Sequence, residues 1–433
     1  MGFFHEHIIL PMSDLATGQR VHYWLQFLKH SAHWDEAQMR SFQDERFRLL
    51  IRHASTHVPF YRELFSNNGW HTEDFQTIDD LQQLPVVSKA IMRKEGIMRF
   101  MADNIPQKER MVAHSSGSTG EPFEFYVSKE AYSLNTATKL RTWYDIGYRL
   151  GDSYFKISSS PRVSRIKKLQ DRLSNGQCIP FNSLDDNSLH QILTLIEKKH
   201  PSVIRTHPNA IYYLARYRQK HPNFFSYNPR YILTTSANLP DTFRSTIRDV
   251  FRCDVIDAYS CEGTANCAEN AKHDGYHISQ EYGIIEVLDS NGNTVQEGRG
   301  KVVSTDLWNM AMPFIRYDTQ DFVNLDGNRI ITRILGRECE LLEAPNGHRY
   351  TGQVIDDFFS YQTHHSVEAF QVVRHHSPDR VLFRIIVNGN YSSDVEESII
   401  RHWQRELEMP VTIETVEHIP LMHNNKYLTI IEE

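Results

Sequence analysis

The chain has 433 residues, 40% hydrophobic, 11% aromatic and 23% charged, enough apolar side chain for a large core and too much for intrinsic disorder. At about 150 residues per domain the length amounts to roughly three domain equivalents, which one large and one small domain satisfy. The formal net charge of -7 provides no general basic field for nucleic acid, so a polyanion must be held by a local site.

The first residues, MGFFHEHIILPMSDL, lack a basic leader and are interrupted by acids and Pro11, unlike a signal peptide. No apolar run approaches the roughly 20 residues that span a bilayer. The cysteines, Cys178, Cys253, Cys261, Cys267 and Cys339, form an odd set without a CxxC pair. That pattern suits reduced thiols and a cytoplasmic protein. Residues 18–64 carry Trp24, Phe27, Leu28, Phe47, Leu50, Ile51 and Ala54 at helical spacing, which predicts a helical layer interrupted at Val58 and Pro59. Residues 77–93 read as a capped helix, an extended LPVVSK piece and a second helix starting at Ser88.

From there to Ile256, the short apolar runs SYFKIS, SVIRTH, RYILTTS and DVIDAYS alternate with helical segments at 189–200 and 210–220. Such alternation predicts an α/β core with a largely parallel sheet. Past about residue 275 the strands GIIEVLDSNGNTV, GKVVSTD, PFIRYDT and NRIITRIL predict an antiparallel β subdomain, with turns at Asn291-Gly292 and Asp326-Gly327. From 338 onward, AFQVVRH, RVLFRIIVN, an amphipathic helix over 393–407 and a further strand predict a small α+β domain.

The most informative stretch is HSSGSTGEP, residues 114–122. Glycines let backbone N–H groups approach a phosphate closely, and the Ser and Thr hydroxyls add donors. A Ser/Gly cluster can also be a plain solvent loop, but predicted strands, RMVAH and FEFYV, flank this one. It is not a Walker loop, since Glu121 and Pro122 stand where Lys and Ser/Thr are required, and neither GxSxG nor GxGxxG occurs in it.

SSGSTGEP resembles the SSGTTGxP phosphate loop of the adenylate-forming superfamily, in its phenylacetate-CoA ligase-like and CapK-like branch. HASTHVPFYREL and DDLQQLPVVSK are similar to N-terminal segments of that branch, AYSCEG to YGxTE, RYDTQD to RYxTGD, and Gly336-Arg337 to the hinge-side GR, all in family order. The resemblance implies a large multi-layer adenylation domain over residues 1–337 and a small, mobile α+β domain over 338–433. It also implies an activity: a carboxylate attacks the α-phosphate of ATP, pyrophosphate leaves, and a thiol or amine intercepts the acyl-adenylate.

By the same resemblance, Ser115, Ser116, Gly117, Ser118, Thr119 and Gly120 would hold the ATP phosphates. Thr119, Glu262 and Lys426 would serve the reacting phosphate, with Glu262 on Mg2+. Asp321 and Arg337 would meet the ribose, and Ser236, Ala237, Asn238 and Tyr259 the adenine. The acceptor is CoA, a carrier-protein thiol or an amine, and a homodimer is compatible with the chain. Taken alone, each of these residues reads as a surface acid, a turn residue or a solvated lysine.

Some positions depart from the family pattern. Tyr259 lies three residues before Glu262 instead of four, Cys261 takes a Ser/Thr position, and Gln320 replaces the glycine of TGD. Of the structural zinc ligands found in some relatives only Cys267 and His273 remain, so no zinc is expected. The altered motifs leave open a catalytically inactive nucleotide-binding or scaffold homologue. An acyltransferase using a serine or Cys261 ranks below both, since no base partner is visible.

Overall fold

The computed structural model describes residues 2–114, 124–158, 165–181, 185–261, 263–327, 330–337, 341–345, 347–363, 366–420 and 428–433. The chain forms two compact units: Met1–Asp152, Arg172–Asn175 and Ala258–Arg333 make the first, and Ser153–Asp171, Gly176–Asp257 and Ile334–Glu433 the second.

In the first unit the expected helical layer is present as Val21–Ser31, Glu36–His57, Pro59–Asn68 and Lys129–Asp145. Asp35 and Gln38 close a reciprocal capping box at the start of Glu36–His57. Pro59 ends that helix by holding Val58 extended, and then begins the next helix itself. The helix expected near residue 77 is only a 3-10 turn, Ile78–Gln83. Its reason is Pro85, which keeps Leu84 out of the helical region, at φ -85 and ψ 145. The second start does occur at Ser88, whose hydroxyl accepts from the Ile91 N–H and caps Lys89–Glu95.

Beside the helices runs an antiparallel array in the order Thr294–Val295, Gly283–Leu288, Gly298–Asp306, Tyr317–Leu325, Ile331–Arg337, Tyr276–Ile278, Ala265–Glu269 and then residues 258–261. The Asn291-Gly292 turn joins paired strands, with Gly292 at φ 82, a conformation glycine adopts without strain. The strands Ala265–Glu269 and Tyr276–Ile278 have no counterpart in the sequence reading. Every residue of the first is buried, so no alternation betrays it. The strand expected over PFIRYDT begins only at Tyr317, because Arg316 turns left-handed at φ 49. Trp24, Leu28, Phe47, Leu50 and Ile51 from the helices share one core with Phe314, Ile315 and Tyr317.

The second unit holds parallel strands in the order Gly176–Pro180, Tyr154–Ser158, Val203–Thr206 and Tyr231–Thr235, the last three at the expected runs and the first without a counterpart in the sequence reading. Helices Asp186–Lys199, Pro208–Lys220 and Asp241–Phe251 supply Leu189, Ile192, Ile211, Leu214, Phe243 and Ile247 to the same core as Ile204 and Ile232. Further along, the hairpin Val367–His376 and Asp379–Val387 is flanked by parallel partners, Ile430–Glu432 on one side and Val411–Thr415 on the other. Trp403 of the helix Ser393–Leu407 fills the core beneath it, with Phe359 and Phe383. Ala369, Ile386 and Ile419 join the apolar cluster of the parallel strands.

Candidate active site

The strands flanking the glycine-rich stretch are real and paired: Arg110–His114 runs antiparallel to Glu124–Ser128, with His114 opposite Glu124. Residues 115–123 connect them. Ser115, Ser116, Gly117, Ser118, Thr119, Gly120, Glu262 and Lys426 lie outside the described residues. Arg337 closes the strand Ile331–Arg337, directly after Gly336 at φ 104.

Within the first unit the structure brings Tyr259 and Asp321 together. Tyr259 stands on the strand Asp254–Cys261, opposite Cys267. Its hydroxyl donates to Asp321 Oδ2 at 2.6 Å. Asp321 is 5% exposed, so this short bond to a carboxylate is worth more than a neutral bond in water. Burial, then the Asp321 charge, push the Tyr259 phenol well above its ordinary pKa, so it remains a donor. The Asp321 N–H donates to Thr319 Oγ1 at 3.2 Å, and that hydroxyl donates to the Val302 carbonyl at 2.9 Å.

Between them, Gln320 adopts φ 63, the left-handed conformation for which glycine is the usual choice. Its N–H donates to Asp318 Oδ1 at 2.9 Å. The turn therefore keeps its shape without the glycine of the family motif. Thr319 was not singled out in the sequence, although it lies two positions from Asp321 along the strand Tyr317–Leu325 and so on the same face.

Ser236, Ala237 and Asn238 belong to the second unit, just past the parallel strand Tyr231–Thr235 and before the helix Asp241–Phe251. Open α/β sheets bind ligands at the carboxyl ends of their strands. Ser236 is exposed and sits at φ 72, a strained conformation for serine; such strain clusters at functional sites. Beneath this run the buried Thr234 hydroxyl donates to Asp257 Oδ1 at 2.5 Å.

The segments that carried the resemblance also meet one another. The Val87 N–H donates to the Arg316 carbonyl at 2.9 Å and the Asp318 N–H to the Val87 carbonyl at 3.0 Å, joining LPVVSK to RYDTQD. Arg316, buried, pairs with Glu286 and donates to the Leu84 carbonyl at 2.7 Å. Tyr61 of HASTHVPFYREL accepts from the Ile315 N–H at 3.3 Å, and His53 Nε2 lies 2.8 Å from the Met310 carbonyl. Much of that sequence signature therefore reflects packing around the strand that carries Asp321.

No family model matches the chain. A phenylacetate-coenzyme A ligase of Pseudomonas putida is 25% identical over 337 residues, covering 70% of this chain and 72% of its own. A second, from Aromatoleum evansii, is 24% identical over 329 residues with the same coverage, 70% and 72%. The chain is similar to phenylacetate-coenzyme A ligases over about two thirds of its length or more. Its fold matches that of a 2-hydroxyisobutyryl-CoA ligase solved in the postadenylation state with 2-HIB-AMP, at a TM-score of 0.75 and 17% identity, over 92% of this chain and 90% of the other.

Tyr212 and Tyr213 are buried core groups, and Tyr144 is partly buried. Tyr212 stacks on Phe243 with centroids 3.8 Å apart, Tyr213 takes the Ile419 N–H at 3.3 Å, and Tyr144 donates to Glu6 at 2.9 Å. Among the described residues no group of three or more His, Cys, Asp and Glu side chains could hold a metal ion. None of their helices is long and apolar enough to cross a membrane.

Proposed function

We propose that the chain is an ATP-dependent, AMP-forming ligase for an aryl or acyl carboxylic acid, with CoA as the thiol acceptor. One acid oxygen bonds to the α-phosphorus of ATP as the bond to pyrophosphate breaks. The thiolate then attacks the acyl carbon and AMP leaves. Both steps develop charge that positioned donors can stabilise, with no covalent part for the protein. The observation that carries the reading is the similarity to phenylacetate-coenzyme A ligases over 70% of the chain. The Tyr259–Asp321 bond supports it.

In this reading Ser115 to Gly120 hold the phosphates, Asp321 and Arg337 the ribose, and Ser236, Ala237 and Asn238 the adenine. Lys426 bridges the acid and α-phosphate oxygens. Mg2+ would neutralise phosphate charge, with Glu262 as the proposed ligand, a carboxylate being the donor a hard cation prefers. A carrier-protein thiol or an amine is the alternative acceptor.

The test is pyrophosphate exchange by the purified protein with Mg2+-ATP and a panel of aryl and fatty acids. Exchange with at least one acid is expected, and Lys426→Ala is expected to lose it while still binding ATP. Normal ATP binding with no exchange across the panel overturns the proposal, and undiminished exchange by Lys426→Ala removes that lysine's role.

A further inference from the structure

We infer that the first helix, residues 2–17, is the face through which two copies of this chain pair about a two-fold axis. It runs as Gly2–Phe4, the π-helical turn His5–Ile9 and Leu10–Thr17, with Phe4, Ile9 and Leu10 all in helical backbone, so the three pieces form one continuous helix. Its polarity is inverted. The only two acidic or basic residues between positions 2 and 19, histidines aside, are Glu6 and Asp14, and both are buried. Five large apolar side chains, Phe3, Phe4, Ile8, Met12 and Leu15, are instead exposed, from 45% at Ile8 to 87% at Leu15.

The partners of the two acids hold the helix in this orientation. Glu6 accepts from Gln26 Nε2 at 2.8 Å and from the Tyr144 hydroxyl at 2.9 Å, and it pairs with Lys29. Asp14 Oδ2 accepts from the His22 N–H at 2.7 Å, and Leu10 packs on the core of the first unit. Positions 6, 10 and 14 therefore face the protein and 4, 8 and 12 the solvent, each row stepping by four. In a plain α-helix a step of four residues drifts by about 40°, and the wider turn His5–Ile9 takes up that drift. Rolling the helix to hide its apolar row would strip both carboxylates of their partners.

Charge and area say what covers the row. A two-fold contact sets a patch against its own copy, where like charges near the axis repel, and this row holds no acid, lysine or arginine. A lipid surface fits less well, since helices that lie on membranes carry Lys and Arg along their polar face. Here neither occurs before Arg20, which pairs with Glu130, in a chain of net charge -7. The five side chains expose roughly 600 Å2, the upper end for the largest apolar patch of a monomer. Two copies bury roughly 1,200 Å2 through these residues alone, the lower bound of a stable interface before any rim residue is added.

The experiment is sedimentation velocity on the full chain, native and as Ile8→Glu with Leu15→Glu, with circular dichroism and flotation on phosphatidylcholine vesicles in parallel. The native chain should sediment as a dimer at about 50 µM, within the affinity range of an interface of this size. The glutamate variant should be monomeric there, its dissociation constant raised roughly hundredfold or more, because each substitution enters a two-fold interface twice. Its circular dichroism should match the native spectrum, both side chains being exposed. Ile8→Gln with Leu15→Gln, which adds no charge, is read in the same way should the glutamates disturb the helix. A native chain that is monomeric at that concentration overturns the inference, and its flotation with the vesicles would assign the face to lipid instead. A native dimer that persists undiminished in the folded variants overturns it too, since pairing then uses another face.

Discussion

Asp306 is 2% exposed and lies at the end of the strand Gly298–Asp306. Its Oδ1 accepts from the backbone N–H groups of Trp308 at 2.7 Å and Asn309 at 3.1 Å. Burial nevertheless pushes its pKa up to about 7, those two bonds and the Tyr282 hydroxyl only partly offsetting it. Tyr282 bonds the Gly263 carbonyl and lies 3.2 Å from Asp306 Oδ2. One phenolic hydrogen cannot serve both oxygens well, which leaves Asp306 Oδ2 poorly satisfied. Since the folded pKa is raised, the unfolded chain binds fewer protons between about pH 4 and about pH 7. Stability should therefore fall as pH rises through that window. Asp306→Asn keeps an acceptor for both N–H groups and a donor for Tyr282. It should flatten that slope and raise the unfolding midpoint at pH 8. A slope unchanged in Asp306→Asn would show that other groups set it.

At this scale the sequence was legible where chemistry is local and silent where it is not. Gln320 stood out as a departure from a glycine, and it occupies the left-handed conformation that the glycine serves. The partner of Tyr259 could not be read, because Asp321 is distant in the chain and the bond depends on the twist and register of strands. Arg316 looked like part of a nucleotide motif. Its guanidinium instead ties Glu286 and the Leu84 carbonyl together.

Among elements, the joint of three segments of the first unit is a buried ion pair. Glu281, in the turn before Gly283–Leu288, binds Arg141 of the helix Lys129–Asp145 through bonds of 2.6 and 3.1 Å. It also accepts from Ser31, the last residue of Val21–Ser31, at 2.7 Å. Burial alone would raise the Glu281 pKa, but Arg141 and Ser31 outweigh it and hold the carboxyl below its ordinary value. Removing one partner leaves the other charge buried and uncompensated. Glu281→Ala should accordingly cost about 3–5 kcal/mol, and Glu281→Leu with Arg141→Met appreciably less. Denaturant titration checks this, and equal losses in the two variants would contradict it.

Element type was legible wherever periodicity or capping was strong. The helices over 189–200, 210–220 and 393–407 and the Ser88 start all appear within three residues. The misses have local causes: Pro85 reduces a helix to a 3-10 turn, and the all-buried strand Ala265–Glu269 shows no alternation.

Across the whole molecule, motif order proved more informative than composition. Segments far apart in sequence, His53 to Tyr61, Leu84 to Val87 and Met310 to Asp321, converge on one strand. That convergence explains why the resemblance extends along the chain and not only at the phosphate loop. Those segments pack around the strand that carries Asp321, the residue proposed to meet the ribose, and say little about the acid. The local anion site that a protein of net charge -7 needs is proposed at residues 115–120, Arg337 and Lys426.

The central claim is that the acid is activated by bonding to the α-phosphate of ATP. Isotope transfer tests it most directly: an acid that supports pyrophosphate exchange is labelled with 18O in both carboxyl oxygens and turned over with ATP, Mg2+ and CoA. An acyl-adenylate route delivers one labelled oxygen to AMP for each thioester formed. Thioester formation with unlabelled AMP, or with the label in inorganic phosphate beside ADP, would contradict it.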